Sequence, residues 1–356
     1  MEVSIIIPTM NRPKLLLRLI CYYYLLEFRG KILIGDSSNT KKFQEMARAL
    51  EKYKNRLDIC HYHLPGRSVA AAVLDMNEHL TTPYVCLVPD DDFIVPRAIT
   101  KCIQFLDGHH DYIAAHGLGA LISSSSGDSG IIDSAGFYPQ TTIEEATASI
   151  RLRKHLESYS VSLFSVYRSE IWRKMFMNIA TPCTHPQCCD KSFTDELLPC
   201  CLSVVYGKIK QIDGLYLVRQ VHDARYLLPT WYQWLTGEKW QPSYLWFRDK
   251  VTGAISEIDC IPLQRAQEVV DLGLMQYLRK SVGLKRPEGL GGRIRRIAKR
   301  CIPNAGLAVL RRFRPWFVSG YLSLESLMDP TSPYHQDFLQ IYNSVTRQER
   351  DAQELI

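Results

Sequence analysis

"PYVCLVPDDDF", residues 83–93, sets an apolar run directly before three consecutive aspartates. Adjacent carboxylates repel one another. A solvated turn or a helix cap before Pro96 accounts for them, and so does a seat for a cation. The surroundings bear on the choice. "YVCLV" (84–88) reads as a buried strand. Pro96 suits a first helical turn, after which Ile99, Cys102, Ile103 and Leu106 recur at helical spacing. Strand, acids, helix is the local order.

The same order repeats toward the N-terminus. "VSIIIPT" (3–9) is a strand followed by a helix from Pro13 to about Phe28. "KILIGDS" (31–37) is a second strand, with a polar helix from about Lys41 to Tyr53. "LDICHYHL" (57–64) alternates with period two. Ser68 then caps a helix carrying Val69, Val73, Met76 and Leu80 on one face, and "YIAAHGLGALI" (112–122) is a fifth strand. Such alternation predicts an α/β fold with a Rossmann-like, mostly parallel sheet and flanking helices. Ligands of such sheets bind beyond the carboxyl ends of the strands. Thr9-Met10-Asn11-Arg12, Asp36-Ser37-Ser38, Gly66-Arg67 and Asp90-Asp91-Asp92 should therefore share one rim. No G-x-G-x-x-G follows the first strand, which counts against a dinucleotide fold.

Composition sets outer bounds. The chain has 356 residues, 46% hydrophobic and 22% charged, enough to bury a core. The net charge of +6 is local: residues 285–314 hold ten Lys or Arg against Glu288 alone, leaving the remainder slightly acidic. No apolar stretch reaches the roughly 18 residues of a spanning helix, since Arg18 and Glu27 break "LLLRLICYYYLLEF". "MEVSIIIP" reads as a strand, not a signal peptide, so the eleven cysteines are expected as reduced thiols in a cytoplasmic protein. "SSSSGDSG" (123–130) reads as a loop, and the last third as helices with a hinge at 285–293. The division expected is 1–222 and a helical region 223–356.

In this order, "SIIIPTMNRP", "GDSS", "PYVCLVPDDDF", "FTDELLPCCLSVVYGK" and "LVRQVH" resemble nucleotide-sugar glycosyltransferases of the GT-A fold, family-2 type, over roughly residues 3–222. The resemblance implies a GT-A (nucleotide-diphospho-sugar transferase) fold and a set of roles. Asp92 would hold a divalent cation, Mn²⁺ or Mg²⁺, with Asp90 and Asp91 meeting the metal or the sugar. The cation would offset charge on the departing diphosphate. Asp36, with Ser37, would meet the nucleotide base, and Pro8, Thr9, Asn11 and Arg12 the base and ribose. Asp195-Glu196 precedes Gly207 at the family spacing, so Glu196 falls at the position of the general base, with the order of acid types reversed. An N-cap acid pair opening the following helix is the plainer reading. Arg219 would meet the diphosphate, and His222 would complete the metal shell. One departure stands out: Val73-Leu74-Asp75 replaces the family's Ala-Arg-Asn triplet, leaving Arg67 as the substitute cation for the diphosphate.

The function implied is metal-dependent transfer of a sugar, from a UDP-linked donor, to a glycan or lipid-linked acceptor, with inversion, as in polysaccharide biosynthesis. A sugar-phosphate nucleotidyltransferase shares the fold but needs a glycine-rich first loop that "PTMNRP" lacks. A non-catalytic sugar-nucleotide-binding or scaffold protein is the third reading. Other features carry less. Cys183, His185, Cys188 and Cys189 resemble a zinc set, but adjacent Cys188 and Cys189 suit tetrahedral ligation poorly. His61 and His63 share one strand face and read as partly buried strand residues. The aromatic stretch 224–247 is an acceptor platform, a cover or a dimer contact. The basic window 285–314 suits peripheral contact with an anionic membrane, or a plain solvated helix; without a recognised motif, nucleic acid is not expected.

Overall fold

In the computed structural model, the described residues are 2–123, 130–180, 193–221, 240–281 and 322–346. The first half follows the expected alternation: β1 (Val3–Thr9), α1 (Pro13–Leu25), β2 (Lys31–Asp36), α2 (Thr40–Leu50), β3 (Asp58–His63), α3 (Val69–Asn77), β4 (Tyr84–Leu87), β5 (Phe93–Ile94) and α4 (Pro96–Gly108). Local chemistry sets these boundaries. Pro13 and Pro96 open α1 and α4, where a missing N–H costs nothing. The Asn39 and Ser68 side chains cap α2 and α3 by accepting from Lys42 N and Ala71 N.

β1 lies inside the sheet, and Val3, Ile5, Ile6 and Ile7 are wholly buried because helices cover both faces. It pairs in parallel with β2 and β4, and β2 pairs in parallel with β3. Register aligns Thr9 with Asp36 and Asp36 with His63, so three polar residues end neighbouring strands in one row.

The second half adds β6 (Tyr112–Ser123), β7 (Ser134–Tyr138), α5 (Ala148–Glu157), β8 (Val166–Arg168), α6 (Ser169–Ala180), a π-helical turn Phe193–Leu197, α7 (Leu198–Tyr206) and β9 (Lys208–Val221). Among the described residues the sheet has nine strands, in the order β3-β2-β1-β4-β8-β6-β9-β5 with β7 on β6. It is mixed where the sequence predicted mostly parallel strands. β8 enters antiparallel between β4 and β6, while β6 and β9 run parallel. At the α7–β9 junction, a Cβ on Gly207 would lie 2.3 Å from Ile113 Cγ2, so only glycine lets that turn close on β6.

The C-terminal helices are α8 (Trp240–Asp259), α9 (Leu263–Ser281), α10 (Leu324–Met328) and α11 (His335–Thr346). Phe247, Val251, Val270, Leu274, Phe338 and Ile341 are buried in the same core as the sheet. Asp259, ending α8, accepts from Ala148 N at 2.7 Å and Ser149 N at 2.8 Å, fixing α8 to the start of α5. No helix of the described residues is long and apolar enough to cross a membrane.

Candidate active site

At the ends of β1 to β3 the backbone and side chains interlock. Ser37 N donates to Thr9 O at 2.9 Å, and Asn11 N to Ser38 Oγ at 2.7 Å. Asn11 takes φ 60°, a left-handed position that asparagine tolerates, and this turns the chain from β1 toward α1. Asp36 Oδ1 accepts from Ser38 N at 2.8 Å and Oδ2 lies 3.0 Å from His61 Nε2. Burial works to raise the Asp36 pKa, but the bonds from His61 and Ser38 outweigh it and hold the carboxyl below its ordinary range. His63 Nε2 lies 3.0 Å from Ser38 O, and Phe43 packs its ring at 4.4 Å against both histidines. Pro8 pairs with Gly35 inside this ladder.

The three aspartates follow β4 and are all buried. Thr9 Oγ1 donates to Asp90 Oδ2 at 2.6 Å, and Arg12 Nη1 spans Asp90 Oδ1 and Asp91 Oδ2, 2.9 Å from each. Buried Arg18 donates to the Asp91 carbonyl at 3.3 Å. Asp92 faces the other way. Antiparallel pairing of Phe93 with Val218 brings it opposite Arg219, whose Nε donates to Asp92 Oδ2 at 2.7 Å, and Gln220 N donates to Oδ1 at 3.0 Å. Burial and the neighbouring Asp91 push Asp90 up to about 6 against the pull of Arg12. Asp92 also reaches about 6: burial and Asp91 raise it, while Arg219 and Gln220 oppose them. At Asp90 and Asp92 burial thus outweighs the pull of the guanidinium groups beside them.

Arg219 is the hinge of the second part. Its guanidinium lies over the rings of Tyr138 at 5.1 Å and Phe164 at 4.7 Å, and Nη1 donates to Tyr138 Oη at 3.1 Å. Burial raises the Tyr138 hydroxyl to about 12 despite that neighbour. The same positive charge acts on Glu196, in the π-helical turn before α7. Burial raises the Glu196 carboxyl, and the bond from Tyr159 Oη to Glu196 Oε1, 2.9 Å, with the charge of Arg219 oppose it. Its neighbour Asp195 turns elsewhere: it is buried and its Oδ1 accepts from Ala70 N at 3.1 Å, in the first turn of α3. The two acids of the pair thus have separate surroundings.

Of the expected residues, Thr9, Arg12, Asp90 and Asp91 form one bonded group; Asp92, Arg219 and, through its charge, Glu196 form another. Arg67 is not brought to either by any described bond. Its side chain is 54% exposed and pairs with Asp75 at 2.9 Å, the acid that replaced the family's asparagine. His222, the Cys183–Cys189 cluster, the basic window 285–314 and the aromatic residues 226–234 lie outside the described residues. Sequence reasoning passed over Tyr138 and Tyr159, and read His61 only as a partly buried strand residue sharing a face with His63.

The fold is GT-A-like, with buried carboxylates on the rim of its mixed sheet. Residues 4–171, just under half of the chain, match the model of glycosyl transferase family 2. Among solved structures, the crystal structure of S. aureus TarS is 15% identical, with a TM-score of 0.50, over 99% of this chain and 55% of its own. S. aureus TarS 1–349 in complex with UDP-GlcNAc is 16% identical, with a TM-score of 0.53, over 99% of this chain and 92% of its own. The chain thus spans about half the length of the first of these, and at such identities the likeness is one of fold. No curated protein sequence matches the chain.

Proposed function

We propose that the chain transfers a sugar from a nucleotide-diphosphate donor to an acceptor hydroxyl, with inversion and with help from a divalent cation. The observation that carries this is the trio of buried carboxylates on the same rim as Asp36, with burial raising Asp90 and Asp92. Asp36, kept ionised by His61 and Ser38, suits acceptance of an N–H from a base. The TarS structure with UDP-GlcNAc supports a uridine donor. Thr9, Asn11, Arg12 and Ser37 line the neighbouring turns, where a ribose would rest.

The donor set fits a hard cation. Among the described residues no group of three or more His, Cys, Asp and Glu converges on one point. Mg²⁺ and Mn²⁺ accept one or two carboxylates when phosphate oxygens and water supply the rest. Asp92 would hold such an ion, with Asp90 or Asp91 beside it and His222 as a further ligand. The ion supplies positive charge to the leaving diphosphate. Arg219 contributes a fixed cation at the same place, and Arg67 would have to leave Asp75 to add another.

Glu196 takes the acceptor proton. Burial raises its affinity for a proton, and Arg219, bonded to Asp92, bears on it by its charge. In one displacement the acceptor oxygen bonds to the anomeric carbon, Glu196 receives its proton, and the bond to the diphosphate breaks with its electron pair. Residues 223–356 serve the acceptor, a glycan or lipid-linked sugar, or contact an anionic membrane through 285–314; this would leave the protein in the cytoplasm or on the membrane's inner face.

Thermal shift with UDP, GDP, CDP and ADP, with and without Mn²⁺, tests the reading. A stabilisation by one nucleotide that grows with Mn²⁺ is expected, together with UDP release from UDP-GlcNAc. No shift with any nucleotide would favour the scaffold reading.

A further inference from the structure

Tyr159 lies in the segment between α5 and β8, and its hydroxyl donates to Glu196 Oε1 at 2.9 Å. Two aromatic rings pack against its own. His155, wholly buried at the end of α5, meets it edge-on with centroids 5.0 Å apart, and Tyr277 of α9 packs at 5.1 Å on a tilted ring. His155 is neutral, since burial lowers its pKa to about 4, so it adds packing and no charge. Tyr277 is buried as well. It belongs to a helix beyond the residues that match the glycosyltransferase family.

We propose that Tyr159 is a positioning residue for Glu196, and that the helical hairpin α8–α9 acts on the reaction by clamping the Tyr159 ring with Tyr277. This rests on Glu196 being the general base. A carboxylate that must point one oxygen at an acceptor hydroxyl needs its other oxygen fixed, and Tyr159 fixes Oε1. The hydroxyl also favours the ionised acid, which is the form a base requires. Among the described residues, the groups that act on Glu196 or feel its charge are Arg219 of β9, Tyr138 of β7, Tyr159, Tyr277 of α9 and Cys200 of α7, with Asp195 next to it in the turn. Of these, Arg219 also binds Asp92, so Tyr159 is the contact that can be altered without touching the acid triplet.

The experiment is the pH profile of UDP release from UDP-GlcNAc with Mn²⁺, water serving as acceptor. Wild type is compared with Tyr159→Phe, Tyr277→Leu and Glu196→Gln. Losing the hydroxyl raises the proton affinity of Glu196, so activity, which needs the ionised form, should begin at higher pH. Tyr159→Phe should lower kcat about tenfold, move the acidic limb upward, and leave the donor KM within about twofold. Tyr277→Leu should move kcat and limb the same way by less. A Tyr159→Phe profile that overlays wild type, or a kcat loss without movement of the limb, overturns the positioning role. A Tyr277→Leu limb that stays in place removes the hairpin from the proposal. If Glu196→Gln keeps wild-type turnover, the base assignment itself falls, a result independent of the other two variants.

Discussion

Asp36 and Glu196 are both acids of the candidate site, and the protein treats them oppositely. Asp36 takes one bond from a backbone N–H two residues away and another from His61 on the adjacent strand, and its carboxyl is held low. Among the described residues Glu196 has one side-chain bond, from Tyr159, and burial prevails to hold it high. In the proposed function Asp36 is a fixed acceptor that stays ionised, and Glu196 takes up a proton. The difference follows from chain order: strands and the turns after them supply Asp36, whereas Glu196 is assembled from α7's entry, a loop and a C-terminal helix.

The largest effect should come from the acid triplet. Asp92→Asn preserves shape but removes the charge that pairs with Arg219 and would hold the cation, and UDP release should fall by about 10³-fold. Some stability should be lost too, because a buried guanidinium then lacks its counter-charge. Turnover within tenfold of wild type, with Mn²⁺ dependence intact, would remove Asp92 from the metal site.

Next in size is the contrast within the acid pair. Glu196→Gln should cost about 10²–10³-fold in kcat. Asp195→Asn should cost less than tenfold, since an amide oxygen can still accept from Ala70 N–H. Its effect should appear instead in the melting temperature, through the link between the π-helical turn and α3. Reversed magnitudes would transfer the base role to Asp195, the residue that stands in place of the family's glutamate.

These contrasts also mark what the sequence can disclose. Asp36 and Asp90–Asp92 were legible because each follows an apolar run, and parallel strands put such residues on one rim. Glu196 drew attention through its distance from Gly207, which closes tightly on Ile113. The fold of the first half came through for the same reason, its period being local. The insertion of β8 between β4 and β6 was not legible, because three short residues carry no pattern that states their partner or direction. Arg67 was chosen by nearness in sequence, yet a helical turn brings Asp75 to it instead. Tyr159 and Tyr277 gave no signal, since an aromatic residue in a loop or on an amphipathic helix looks the same whether it packs or positions a carboxylate.

The smallest expected effects concern His61, and they sharpen the comparison at Asp36. His61→Phe keeps a ring beside Phe43 but removes the donor to Asp36 Oδ2. The donor KM should rise about tenfold with kcat little changed, because the loss falls on nucleotide binding and not on the reacting atoms. Stability should respond with a definite sign. Asp36 has a lowered pKa in the folded chain, so its contribution is present above the unfolded carboxyl range and lost as pH falls through the folded value. Without His61 that contribution shrinks. Denaturant melts near pH 7 should therefore show the variant weaker by about 1–2 kcal/mol, with the gap closing once the acid is protonated in both chains. A gap that persists unchanged down to pH 2 would mean that His61 matters through packing against Phe43, and that Asp36 owes its ionised state to the Ser38 bonds alone.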